Sequence, residues 1–320
     1  MAKWKSAKQS VPASIKKYLV KTLSELSHYK VVAVEKKPES FGVYLGGFNH
    51  TPTSEDLQVL AQWDLLVVDA FQENVIHVLS SGLYYKPPQV LARLDISLVV
   101  PQQCKGSAAL EGAIAWVTKL LASSTASGSD CRFSGILISN WYDQLPSPML
   151  IEFITFIHKL GFQTYLETSS PGFLRDPKLA ELNEVAGLII RNGTISSNGD
   201  ERDAFQMQEM RPTIKAFVSQ ACLRPFVVCL WETLDDGVNP ANAIVRRSYQ
   251  WSKFYSALSP WIGSNSDLTS TSHGIDQKEP LGAFSWLKEP GVMEAHKKWR
   301  LNHTISHAGR ITFIHPRTEP

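Results

Sequence analysis

Residues 226–237 read FVVCLWETLDDG, one complete period of a pattern that the chain repeats. Residues 226–230 are an unbroken apolar run containing Val227 and Val228, as in a strand buried on both faces. Trp231 and Glu232 follow, then the polar turn Asp235-Asp236-Gly237. Asn239-Pro240 next supplies an N-cap and a first-turn proline for a helix. The unit is strand, aromatic plus acid, loop, helix. In parallel α/β folds the loops at the C-terminal strand ends carry the chemistry. Glu232 is therefore the leading candidate for a working carboxylate.

Upstream, the same unit recurs. Residues 1–11 read as a tail, and residues 12–27 as an amphipathic helix with Ile15, Leu19, Leu23 and Leu26 on one stripe. Strands are expected at 30–35 (KVVAVE), 43–48 (VYLGGF), 65–71 (LLVVDAF) and 96–100 (ISLVV). Gly46-Gly47 suits a bulge at a barrel rim. Residues 74–93 read as helical at their start and broken by Pro87-Pro88, and 108–122 as a helix with Leu110, Ile114, Val117 and Leu121 in a stripe. Further strands follow at 135–139 (GILIS), 163–167 (QTYLE) and 186–191 (AGLIIR). A helix over 147–159 lies among them, with Gly161 at its C-cap. Downstream of the opening stretch come a helix over 240–258, a long polar loop over 262–280, a last strand at 283–287 (AFSWL) and a helix near 292–298.

From residue 43 onward the expected strands number about eight, most of them followed by a helix, which fits a (β/α)8 TIM barrel. The fold class is thus α/β, with an N-terminal helix and an extra strand at 30–35. The expected division is 1–29 for tail and helix, 30–300 for the barrel and 301–320 for a C-terminal tail. A doubly wound open sheet is the competing architecture, but no G-x-G-x-x-G or P-loop fingerprint is present.

Bulk properties narrow the function classes. The 320 residues are 43% hydrophobic and 19% charged, a globular composition. A net charge of +2 without a basic, aromatic-interleaved stripe gives no nucleic-acid signature. No apolar run approaches the ~20 residues that a membrane span needs. The four cysteines show no metal or redox spacing and read as free thiols of a reducing, cytoplasmic compartment. Sequons at Asn49, Asn192 and Asn302 would point to secretion if a signal sequence preceded this chain; without one they read as chance matches. None of the nine histidines forms H-x-H or H-E-x-x-H, and no G-x-S-x-G elbow occurs, so neither a metal, a cofactor nor a hydrolase triad is expected.

In a barrel the strand ends converge on one pocket. They are Asp69 on the second strand, Asn140, Trp141, Tyr142 and Asp143 on the fourth, Glu167 on the fifth and Arg191-Asn192 on the sixth. Trp231 and Glu232 end the seventh, and Trp286 the eighth. The set is rich in carboxylates, amides and indoles. Glycosidic cleavage uses one protonated and one ionised carboxyl group, with flat apolar faces to hold sugar rings. Glu167 and Glu232 lie two strands apart, about 9–10 Å, which allows either the retaining or the inverting separation. Each residue also has a structural reading: Glu167 as a loop cap, Asp69 as an acceptor for neighbouring backbone, Asp143 in an Asx-turn, and the three tryptophans as core.

The run 63–72 (WDLLVVDAFQ) and the strand ending at Asn140-Trp141 resemble the glycosidase-type (β/α)8 barrels. Among these are the fungal and bacterial polysaccharide hydrolases that include the endo-α-1,4-polygalactosaminidase group. Glu232 and Trp286 are placed similarly to the seventh-strand acid and eighth-strand tryptophan of the larger clan. The sequence departs at Asn140, where many such enzymes carry an acid. That leaves the proton donor open and permits a barrel that binds sugar without cutting it. The resemblance implies an intracellular, cofactor-free hydrolase with a carbohydrate ligand. Glu232 would be its ionised carboxylate, Glu167 its acid, Asp69 a supporting acid and Asn140 a hydroxyl-binding amide. Tyr142 and Asp143 would line the site, and Trp141, Trp231 and Trp286 would wall it. Two other readings stand beside it: a sugar-binding or scaffolding barrel domain of a longer chain, and a cytosolic barrel enzyme for a phosphorylated metabolite.

Overall fold

A computed structural model describes residues 11–27, 29, 39–46, 53–63, 65–69, 89–125, 133–168, 178–179, 182–195, 216–217, 227–234, 241–242, 270–277, 291–295 and 297. Its strands are β1 (Glu39–Gly46), β2 (Leu65–Asp69), β3 (Gln89–Asp95), β4 (Gly135–Ser139), β5 (Gln163–Thr168), β6 (Val185–Ile195), β7 (Val227–Leu234) and β8 (Ser270–Gln277). Each pairs in parallel with the next, and β8 pairs with β1, closing the ring. The helices are α1 (Ala13–Leu26), α2 (Ser54–Leu60), α3 (Ile96–Val99), α4 (Ser107–Thr125) and α5 (Ser147–Lys159).

The apolar strands are continuous runs because both of their faces are buried. Period-2 alternation divides them. Leu66, Val68, Ala92, Leu94, Ile136, Ile138, Leu166, Leu188 and Ile190 join the outer core with Leu110, Ile114, Val117 and Leu121 of α4 and Phe153 and Ile157 of α5. Leu65, Val67, Leu91, Leu137, Tyr165 and Ile189 fill the inside of the ring together with Tyr44. The expected helical stripe of α4 is thus buried. Gly161 has φ 93, the left-handed value that a helix C-cap glycine adopts. The β1–β2 register shifts between Tyr44 and Gly46, an irregularity at the glycine-rich end where a bulge is expected.

Two sequence expectations are overturned. Residues 96–100 are no strand: the third strand is β3, Gln89–Asp95, and Ile96–Val99 is a helical turn. Asp95 caps that turn by accepting from the Ser97 backbone N–H at 3.0 Å and the Ser97 hydroxyl at 2.5 Å. Ile96 and Val100 are buried while Ser97 and Leu98 face out, a four-residue period and not a two-residue one. The second correction concerns the polar loop over 262–280, which contains β8. The eighth place in the ring is therefore not held by 283–287, and that segment, with Trp286, lies outside the described residues, as does the extra strand at 30–35.

Gly135 shows how tightly the ring is drawn. A Cβ there would lie 2.5 Å from the Gln163 carbonyl oxygen and 3.1 Å from the Tyr165 ring. Backbone cannot yield as a side chain does, so β4 and β5 would have to separate. Gly135→Ala is expected to destabilise the protein by about 1–3 kcal/mol, the cost of overpacking. Equilibrium urea denaturation checks this, and a loss under about 0.5 kcal/mol, the usual surface value, would contradict it.

Candidate active site

The polar site is the next layer of the inward-facing alternation. Asp69 follows Val67 by two residues, Arg93 follows Leu91, Glu167 follows Tyr165, and Arg191 follows Ile189. Each strand's inner face thus changes from apolar to charged as it nears its C-terminal end, where parallel barrels keep their chemistry.

Arg93 is the hub. Its Nε donates to Glu167 Oε2 at 3.1 Å and its Nη2 to Asp95 Oδ2 at 3.0 Å. Its Nη1 lies 3.4 Å from both Asp69 Oδ1 and the Tyr44 hydroxyl. Tyr44 in turn donates to Asp69 Oδ2 at 2.5 Å. Arg191 Nε donates to Glu167 Oε1 at 2.5 Å and Nη2 approaches Oε2 at 3.5 Å. The guanidinium carbons of Arg93 and Arg191 lie 5.5 and 5.3 Å from the centre of the Tyr44 ring, within cation–π range. Asn140 Nδ2 donates to Asp95 Oδ2 at 2.8 Å, tying the end of β4 to the end of β3.

The electrostatics follow from this geometry. Burial by itself raises the Glu167 pKa, but Arg191 and Arg93 outweigh it and hold the carboxyl below its ordinary range. Burial works against the Arg93 charge, yet Glu167, Tyr44 and Asp69 outweigh it and raise its pKa. Burial also pushes the Tyr44 phenol up; Arg93 pulls it back and Asp69 adds to the rise. Tyr44 thus keeps its proton and serves as a hydrogen-bond donor. The carboxylates differ in access: the side chains of Glu167 and Asp95 are 7% and 6% exposed, that of Asp69 19%.

The structure brings Asp69, Glu167 and Asn140 of the expected set into one cluster. It revises two roles. Glu167, ionised between two guanidinium groups, is unsuited to be a resting proton donor. Trp141 is 4% exposed and belongs to the outer core, so it is no sugar wall. Asn140, with φ 49, turns the chain so that Trp141 is buried while Tyr142 and Asp143 are exposed. Trp141→Ala is expected to cost about 3–5 kcal/mol of stability, as a core residue does. A melting curve unchanged from wild type would return it to the surface.

Glu232 stands within β7, paired in register with Ile275 of β8, and Trp231 stands at the register position of Arg191. Their side chains, like all of Trp286, lie outside the described residues. Sequence reasoning missed Tyr44, Arg93 and Asp95, and placed Arg191 among the strand ends of the pocket without giving it a role. The signal in QVLARLD was the inward pair Arg93 and Asp95 continuing the alternation from Leu91. Among the described residues no group of His, Cys, Asp or Glu is placed to hold a metal ion, and no helix is long and apolar enough to cross a membrane.

No protein-family model matches the chain, and no curated protein matches it in sequence. Solved structures of similar shape include the glycoside hydrolase domain of PelA from Pseudomonas aeruginosa, 12% identical over 79% of this chain and 98% of its own, with a TM-score of 0.44. An intracellular xylanase from Thermoanaerobacterium saccharolyticum is 10% identical over 78% of this chain and 95% of its own, with a TM-score of 0.48. A citrate lyase from Burkholderia xenovorans is 12% identical over 88% of this chain and 89% of its own, with a TM-score of 0.45.

Proposed function

We propose that this chain is a glycoside hydrolase-like (β/α)8 barrel that cleaves a polysaccharide or glycoconjugate, with Asp69 and Glu232 as its working carboxylates. The observation that supports this best is the setting of Asp69. It is the least enclosed carboxylate of the described cluster, and both of its oxygens accept hydrogen bonds, from Tyr44 and from Arg93. Those donors fix the direction of its lone pairs without closing it off, as a base or nucleophile requires. Glu167 becomes the anion that sets both guanidinium groups, and Glu232, expected from the sequence as the ionised carboxylate, takes in this proposal the proton-donor role that Glu167 leaves open. A helix after every strand and a carbohydrate ligand held without a cofactor belong to the same proposal.

A second reading, a barrel that binds sugar without cutting it, is favoured by one observation. Asp95 and Glu167 are each engaged by arginine, so the described cluster contains no spare acid to protonate a leaving group. The phosphorylated-metabolite reading gains no comparable support, because both guanidinium groups of the cluster are already engaged by carboxylates. Hydrolysis of a glycan panel by wild type, Asp69→Asn and Glu232→Gln separates the readings. Cleavage by wild type that both variants lose supports the hydrolase; binding without cleavage by any of them supports the module.

A further inference from the structure

Two tyrosines face the inside of the ring, and they use their hydroxyls differently. Tyr165 donates at 2.9 Å to Gln163 Oε1, two residues back on its own strand. Tyr44 crosses to the neighbouring strand and donates to Asp69, the most accessible carboxylate of the described cluster. In register Tyr44 stands opposite Val67, so Asp69 lies two residues further along β2. Two residues of strand span about 6.6 Å, a gap that calls for a long side chain with its polar atom at the tip. The next pair after Tyr44 and Val67 is Gly46 and Val68, two steps of β1 against one of β2. Such an irregularity bends the strand, and beside active sites it serves to re-aim a side chain.

The distances rank the two donors on Asp69. The Tyr44 hydroxyl is 2.5 Å from Oδ2, whereas Arg93 Nη1 is 3.4 Å from Oδ1. An N–H···O contact of good geometry is about 2.7–3.2 Å long, so the Arg93 contact is a weak one. Arg93 gives its closer bonds, 3.0 and 3.1 Å, to Asp95 and Glu167. Tyr44 is itself braced, because it is 9% exposed and its ring lies against the guanidinium groups of Arg93 and Arg191.

We infer that Tyr44 is a positioning residue for hydrolysis: its hydroxyl aims the Asp69 carboxylate, while Arg93 mainly holds Asp95 and Glu167. This rests on the hydrolase reading above and adds that the aim of its exposed carboxylate is set from β1, across the ring from the arginine hub.

The test is steady-state hydrolysis of xylan, carboxymethylcellulose, chitosan, α-1,4-polygalactosamine and polygalacturonate by wild type, Tyr44→Phe and Tyr165→Phe. Circular dichroism and melting curves check that each is folded. Both variants delete one hydroxyl from the inside of the ring and keep the aromatic ring. Tyr44→Phe is expected to lower kcat by about 10–100-fold with KM little moved, the cost of a reacting group no longer held in line. Tyr165→Phe is expected to match wild type in both constants. If Tyr44→Phe keeps the wild-type kcat, changes KM alone, or loses no more than Tyr165→Phe does, the positioning role is overturned while the hydrolase reading stands. If wild type cleaves none of the five, the hydrolase reading falls and the role of Tyr44 with it.

Discussion

Glu167→Gln is expected to lower stability by about 3–5 kcal/mol, the cost of removing one partner from a buried ion pair. The amide keeps the shape but removes the charge that lies against Arg93 Nε and Arg191 Nε. Arg93 retains Asp69 and Asp95. The pH dependence gives the sign. Glu167 has a folded-state pKa below its ordinary value of 4.5, so its contribution is present above about pH 4.5 and lost as pH falls through the folded value. Tyr44 acts at the other end: its phenol is raised above 10.0, so its contribution is full below about pH 10 and lost as pH rises through the folded value. Urea denaturation at pH 7 and pH 4 therefore shows a wide gap between wild type and Glu167→Gln at pH 7 and a narrower one at pH 4. A gap under about 1 kcal/mol at both, the size of a surface pair, would mean that the network holds nothing together.

Asp69→Asn is expected to lower kcat/KM by about 10²–10⁴-fold on whichever glycan wild type cleaves, the range for losing a positioned general base. The replacement is nearly isosteric and its oxygen can still accept from Tyr44; the acceptor for Arg93 is lost with the charge, but Arg93 keeps Glu167 and Asp95, so the fold is retained. The effect should appear in kcat with KM little moved, because the carboxylate acts on the transition state and not on ground-state binding. This distinguishes it from Glu167→Gln, whose stability loss would also reduce activity. Activity within threefold of wild type would remove Asp69 from the chemistry.

The sequence by itself determined the class of fold and most of the frame. The runs at 65–69 and 135–139 were legible because strands buried on both faces are apolar along most of their length, α4 because its stripe repeats at helical spacing, and α5 because Gly161 marks its end. It also placed Asp69, Glu167 and Asn140 at strand ends, where the tertiary structure gathers them. It did not determine β3, which contains Arg93 and Asp95, or β8, whose residues STSHGIDQ include a single aliphatic side chain, Ile275. Arg93 can be buried only because Tyr44, Asp69 and Glu167 reach it from three other strands, across sequence separations of 49, 24 and 74 residues. A charge enters a barrel interior when partners compensate its desolvation, and those partners are supplied by ring closure, not by neighbours in sequence. The same holds for Trp141 and Tyr142. Both are aromatic and adjacent, and only the left-handed turn at Asn140 within the closed ring decides which becomes core and which faces solvent.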